Sequence, residues 1–275
     1  MSKMKKFVEL DKKTFLKKFE KILDGFYQKL GEYIANPNDE NIHDIRVSIR
    51  RLEAAHRVLP KSVRKQGKIK DYVKQAKELF KVNAKIRDFD IICTNMESKY
   101  QDKTRDLVLT LKNSRIEHIK NANRLALQVS YAHRPKILKS VLKESRLEKR
   151  YFKVLDEIVL DIQKNTIIVL GDEKKMDELH MLRKDFKKLR YSFEIASNKE
   201  TTSDVLKDLK NIQDILGEIH DSDIIIDYLR NIEQKSEYSD IIKIEVLERS
   251  KKYNTFVTTF KKNLKTGNFV LQFQH

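Results

Sequence analysis

The sequence predicts an all-α fold, and three observations carry that prediction. Turn punctuation is sparse, with only 6 Gly and 3 Pro in 275 residues. The segments between these breakers are rich in Lys, Glu, Leu and Ile, and their apolar residues recur at helical spacing. Alternating strand patterns are almost absent. A block of sequence also recurs in the same order in the second half, so the helices come as two homologous halves, 1–134 and 135–275.

Taken in order, Val8 to about Ala35 reads as one helix, stopped ahead of Pro37, since the residue before a proline avoids helical geometry. Asn38 or Asp39 offers a capping oxygen to the next helix, which runs to Leu59 and ends at Pro60. A third helix is expected over Lys68–Val82, and a fourth from Asp88, as its cap, to about Tyr100. Asp102–Ala132 forms a long helix ended by Arg134-Pro135. In the second half Ser140–Ile168 is helical and Gly171-Asp172 breaks it. Lys175–Ala196 follows, then a polar break at Ser197–Ser203. Asp204–Leu216 with Gly217 near its end, Asp221–Glu233 with Asp221 as cap, and Ser239–Leu264 complete the set.

Lys and Arg number 58 against 41 Asp and Glu, a net charge of +17. An excess of this size speaks to partners rather than to fold. It points to nucleic acid, an anionic surface or another polyanion, provided the charge falls on particular faces. Cys93 is the only cysteine, so no disulfide forms within the chain; it lies in an apolar run, Ile91-Ile92-Cys93, as an inert core thiol. The basic start, Met1 to Phe7, leads into no apolar stretch, and no window approaches 18 apolar residues, so neither a signal peptide nor a membrane span is expected. The expected location is the cytoplasm.

The repeat carries the chemistry. Asn41-Ile42-His43-Asp44-Ile45-Arg46-Val47-Ser48-Ile49-Arg50-Arg51-Leu52 recurs 137 positions later as Glu178-Leu179-His180-Met181-Leu182-Arg183-Lys184-Asp185-Phe186-Lys187-Lys188-Leu189. At about 100° per residue, Ile42, Ile45, Ile49 and Leu52 share one side of a helix, and His43, Arg46, Arg50 and Arg57 share an adjacent one, flanked by Arg51. In the second copy the apolar side is Leu179, Leu182, Phe186, Leu189 and Phe193. Its basic side is His180, Arg183, Lys187 and Arg190, bordered by Lys184 and Lys188.

From His43 to Arg57 the stripe is about 21 Å long at about 1.5 Å per residue. Like charges one turn apart repel by a few tenths of a kcal/mol per pair, roughly. Asp44 and Glu53 fall off the centre line, so an extended polyanion is the natural counter-charge. Arg grips phosphate oxygens with two donors, Lys acts as a point charge, and a His ring nitrogen can donate to phosphate. A solvated cationic face with each His satisfied at the core edge is the plainer alternative; recurrence at fixed offsets argues against it.

A second pair of blocks lies 133 positions apart: Val82-Asn83-Ala84-Lys85-Ile86-Arg87-Asp88-Phe89-Asp90-Ile91-Ile92 and Ile215-Leu216-Gly217-Glu218-Ile219-His220-Asp221-Ser222-Asp223-Ile224-Ile225. Lys85 and Arg87 add to the basic surface, although Glu218 and His220 do not keep their charge. The helix starts expected at Asp88 and Asp221 are also candidate anion sites.

At these residues the sequence resembles the conserved-histidine α-helical domain family, CHAD. His43 to Leu52 matches its His-x-x-Arg-Val-x-x-Arg-Arg-Leu helix, and Arg87 to Asp90 its Arg-Asp-x-Asp motif. His180 to Tyr191 matches its second-half helix, and Leu216 to Asp221 its Leu-Gly-x-x-x-Asp motif. Glu53 departs from the pattern, which often has a basic residue there. The resemblance implies two pseudo-symmetric four-helix bundles, with a basic surface between them that binds inorganic polyphosphate. By motif position it implies that His43, Arg46, Arg50, Arg51, His180, Arg183, Lys187, Lys188 and Arg190 line that surface, with no catalysis and no cofactor.

Two other readings compete. A nucleic-acid binder has the same charge, but apart from Tyr191 the stripes hold few aromatics for base stacking. The dipeptides His43-Asp44 and His220-Asp221 are reminiscent of metal-dependent phosphohydrolases. Against that, His43 and Asp44 point about 100° apart on a helix, the clustered cations oppose a metal, and Met181 replaces Asp44 in the repeat.

Overall fold

A computed structural model describes residues 8–198, 200–232 and 236–265. The stretch Met1–Phe7 and the last residue expected in the Asp221–Glu233 helix lie outside them. Among the described residues helices dominate. The extended backbone is a two-residue antiparallel pairing, β1 (Val8–Glu9) with β2 (Ser197–Asn198), in which Val8 faces Asn198 and Glu9 faces Ser197. No described helix is long and apolar enough to cross a membrane.

The chain forms two compact units, Leu10–Tyr151 and the residues from Phe152 onward together with Val8–Glu9. The first begins with α1 (Lys12–Ala35), capped by Asp11, whose Oδ1 accepts from the Thr14 amide at 2.8 Å. The helix expected from Val8 therefore starts four residues later, because a capping Asp competes better for the first-turn amides than a continued helix would. α2 (Asp39–Val58) starts at Asn38, which accepts from the Asn41 amide at 2.8 Å, and stops ahead of Pro60. A short α3 (Lys61–Arg64) leads into α4 (Gly67–Lys99), and a single 3-10 turn at Gln101–Thr104 leads into α5 (Arg105–Ser130).

Helix α1 packs on α2 and α5, and α4 packs on the same two, closing a four-helix bundle. Phe15, Phe19, Leu23, Phe26, Leu30 and Tyr33 line the buried face of α1 at helical spacing. The expected apolar side of α2, Ile42, Ile45, Ile49 and Leu52, is wholly buried.

The second unit takes most of α6 (Glu144–Val169), then α7 (Met176–Ile195), α8 (Glu200–Asn231) and α9 (Ser239–Lys265). α7 packs on α8 and α8 on α9. Asn165 of α6 donates to Asp185 of α7 at 3.4 Å, and the Tyr253 hydroxyl of α9 donates to the Val169 carbonyl at 2.6 Å. Phe186 of α7 meets Phe260 of α9 edge-on with ring centroids 6.3 Å apart. Leu179, Leu182, Phe186, Leu189 and Phe193 are buried, as the periodicity of α7 requires.

Two expected breaks do not occur. Residues 82–88 and 216–221 lie inside the unbroken helices α4 and α8, so Asp88 and Asp221 cap nothing, and the anion sites expected at those helix starts do not exist. Tertiary packing overrides the weak local breakers. Asn83 is fully buried, its amide donates to the Leu79 carbonyl at 2.9 Å, and its oxygen accepts from the Tyr33 hydroxyl at 3.0 Å. Gly217 sits mid-helix with open space where a Cβ would stand, so no turn or close approach requires it.

Candidate anion-binding stripes

In the first unit the α2 stripe is built against α4. Arg46 donates from Nη1 to the Phe80 carbonyl at 2.9 Å, and its guanidinium lies 4.2 Å from the centre of the Phe80 ring. The Arg50 guanidinium lies 5.0 Å from the same ring. Phe80 is thus a platform shared by two half-buried cations. His43 and Arg51 are exposed, and Arg57 is half-buried near the end of the helix, where its carbonyl accepts from Arg150 Nε at 3.3 Å.

Two acids of the same helix pair with lysines of other helices. Asp44 pairs with Lys29 of α1 at 2.8 Å and Glu53 with Lys77 of α4 at 3.1 Å. Glu53 therefore does not interrupt the stripe, because its carboxylate turns to Lys77. On α4, Lys85 is exposed with its ammonium 5.2 Å from the Phe89 ring, and Arg87 is half-buried.

The α7 stripe differs at its histidine. His180 Nδ1 lies 3.2 Å from His220 Nδ1 of α8, with ring centroids 4.4 Å apart, so one ring donates and the other accepts. Burial, reinforced by Lys184, Arg183 and Lys187, holds His180 down to about 4. Burial, then Arg183, His180, Lys187 and Lys184, hold His220 down to about 2. Both rings are neutral at pH 7. His180 is accordingly a satisfied side chain at the core edge, whereas His43 is exposed.

Arg183 and Lys187 are half-buried and Lys184 is exposed. The Lys188 ammonium bonds Asp185 at 2.6 Å, and that carboxylate is 1% exposed. Arg190 stacks 4.9 Å from the Tyr191 ring centre and pairs with Glu194 at 3.4 Å.

The second motif turns out to be structural. Asp90, 1% exposed, accepts from Arg115 Nε of α5 at 2.6 Å, and the same guanidinium reaches Asp39 at 2.7 Å. In the other unit Arg249 Nε of α9 bonds Asp223, and its Nη2 donates to the Glu173 carbonyl at 3.0 Å. Burial pushes both carboxyls above their ordinary range, and the arginine opposes it in each case. Sequence reasoning missed Arg115 and Arg249. Their 134-residue separation, within the drift of the two repeats, was the signal available. Phe80 carried no such signal, because no aromatic stands at the equivalent repeat offset.

Among the described residues no group of three or more His, Cys, Asp or Glu side chains could hold a metal ion. Cys93 is buried, and burial pushes its thiol up to about 11.

A family model, the CHAD domain, matches residues 19–230. Among solved structures, the chain is similar to the crystal structure of the CHAD domain from the plant Ricinus communis. The TM-score is 0.65 at 14% identity, covering 90% of this chain and 88% of that one. No curated protein matches the chain.

Proposed function

Because the chain belongs to the CHAD family, we propose that it binds inorganic polyphosphate and does not turn it over. The observation that carries the reading is the pair of guanidinium groups, Arg46 and Arg50, laid on the one Phe80 ring. Asp44 and Glu53 of that helix pair with Lys29 and Lys77. Cations held on an aromatic surface lose little side-chain entropy on binding phosphate oxygens. The half-buried Arg183 and Lys187 beside His180 supply the same chemistry in the other unit. The order of elements is shared: a long helix, a His-bearing helix, a very long helix and a closing helix. With the parallel Asp90–Arg115 and Asp223–Arg249 pairs, this supports descent of the two units from one duplicated ancestor.

The same geometry supports a non-catalytic role. Asp44 is engaged by Lys29 and His220 by His180, so neither His-Asp dipeptide presents its two groups together to a metal. A cytoplasmic location, with association to polyphosphate granules, belongs to this reading.

The test is a salt titration of binding to polyphosphate of defined length, comparing the wild type with Arg50→Glu/Lys187→Glu. Each phosphate contact contributes a slope of roughly 1 in log affinity against log salt, so the double variant should lose about 2 in slope and at least a hundredfold in affinity at low salt. Helicity should be unchanged. Equal affinity in the double variant, or RNA of matched charge displacing the polymer at equal concentration, overturns the reading. Release of phosphate from the bound polymer overturns the non-catalytic part.

A further inference from the structure

At the far end of the α2 stripe, sharing Arg57 with it, the first unit holds a pocket of about 290 Å³ where the end of α2, the short α3 and the start of α4 converge. Arg57, Arg64, Lys65, Lys70 and Lys77 line it against the carboxylate of Glu53. That carboxylate pairs with Lys77 at 3.1 Å. Lys70 stands in the first turn of a 33-residue helix that has no acid in its first turn and no side-chain cap, so the positive end of α4 adds to the local potential. The wall between α2 and α3 is His56, whose ring Nε2 bonds the Arg64 carbonyl at 3.2 Å.

We propose that this pocket binds the terminal di- or triphosphate group of a phosphate chain. The volume sets the size. At about 290 Å³ it admits the end of a phosphate chain and is far too small to enclose a polymer. Charge sets the preference. A terminal phosphate takes a second negative charge with a pKa of about 6, whereas an internal one does not, so a concave site with five cations favours an end. Stripe and pocket also differ in shape: a stripe offers repeated contacts along one helix face, whereas the pocket surrounds a compact ligand with cations from three elements. The assignment does not depend on what the stripes bind.

The experiment uses the full chain and tripolyphosphate at fixed low salt, with calorimetry for affinity and the His56 ring resonances as a local reporter. The resonances are assigned with His56→Gln. Arg64→Glu/Lys70→Glu should weaken tripolyphosphate at least tenfold and abolish the His56 shift. Lys120→Glu/Lys139→Glu, two exposed lysines outside both pocket and stripes and of equal net-charge change, should leave both within about threefold. Long polyphosphate with free ends and the same polymer with amidated ends separate the sources: a His56 shift from the free-ended polymer alone marks chain-end capture, and one from tripolyphosphate alone marks a free oligophosphate.

If His56 is unmoved by both at saturation, or the two double variants lose tripolyphosphate equally, the pocket is not the site. Failure of the stripes as polymer site shows separately, as unchanged long-chain affinity in Arg50→Glu/Lys187→Glu.

Discussion

Replacing Arg115 with Met should unfold the first unit far more readily than a surface change would. Asp90 is 1% exposed, and the 2.6 Å bond from Arg115 Nε is its hydrogen bond to a cation; the other carboxylate oxygen is buried without a hydrogen-bond partner. Removing one member of a buried pair leaves the other charged and desolvated, at a cost of about 3–5 kcal/mol. The bond from Arg115 to the exposed Asp39 adds at most about 1 kcal/mol. With a urea slope of about 1–3 kcal/mol per molar, the midpoint followed by far-UV circular dichroism should fall by roughly 1–5 M.

The pH dependence identifies the cause. Burial already holds the folded pKa of Asp90 above its unfolded value, so the folded state binds the proton more tightly and the strain of the charged form is felt at high pH. Loss of Arg115 raises that pKa further. The destabilisation should be complete at pH 7 and should shrink as pH falls through the raised pKa toward the unfolded value of about 3.9. Adding Asp90→Asn should recover more than half of the loss at pH 7. A penalty under about 1 kcal/mol, or one that Asp90→Asn does not relieve, refutes the assignment of Asp90 and Arg115 as a buried ion pair. Arg249→Met with Asp223→Asn should repeat the pattern in the other unit.

Gly217→Ala places a methyl group in open space within an unbroken helix and should stabilise the chain by about 0.5–1 kcal/mol, read as a raised urea midpoint. A loss of stability there would mean that α8 is broken after all. The neutral pair His180 and His220 binds protons more weakly folded than unfolded. Stability from this pair is full above about pH 6.5 and is lost as pH falls toward 4. His220→Phe should flatten the fall in melting temperature between pH 7 and 5 without abolishing it, because burial depresses His56 as well, to about 4. An unchanged pH profile in His220→Phe would contradict the pairing. Cys93 should resist a thiol reagent at pH 8 in the folded chain and react at once in urea; rapid labelling without denaturant would place it on the surface.

What the sequence made legible is what periodicity encodes. The apolar sides of α2 and α7 are buried residue for residue, and Asn38 and Pro60 bound α2 as their chemistry dictates. What it hid are choices made by tertiary context. Asn83, just past the helix end expected at Val82, is buried and satisfied by Tyr33 and by its own helix, and Gly217, expected near a helix end, stands mid-helix. The breaks expected there are ones that α4 and α8 do not have. The carboxylates of the second motif looked like caps because the residues that satisfy them, Arg115 and Arg249, lie about 25 positions away on another helix. Local pattern reports on a helix's own face; it does not say which distant side chain completes a buried charge.

The same distinction gives the net charge its meaning. An excess of cations alone does not separate a binding protein from a merely soluble one. In this chain the arginines divide by environment. Arg115 and Arg249 are pinned to buried carboxylates, where they hold helices together and have little left for a ligand. Arg46 and Arg50 rest on Phe80, an aromatic surface that orients a cation without neutralising it. Of the four acids on α2, Asp39 bonds Arg115, and Asp44 and Glu53 pair with Lys29 and Lys77. On the proposed reading, drawing carboxylates toward cations of other helices favours an arriving polyanion as the partner of the α2 column.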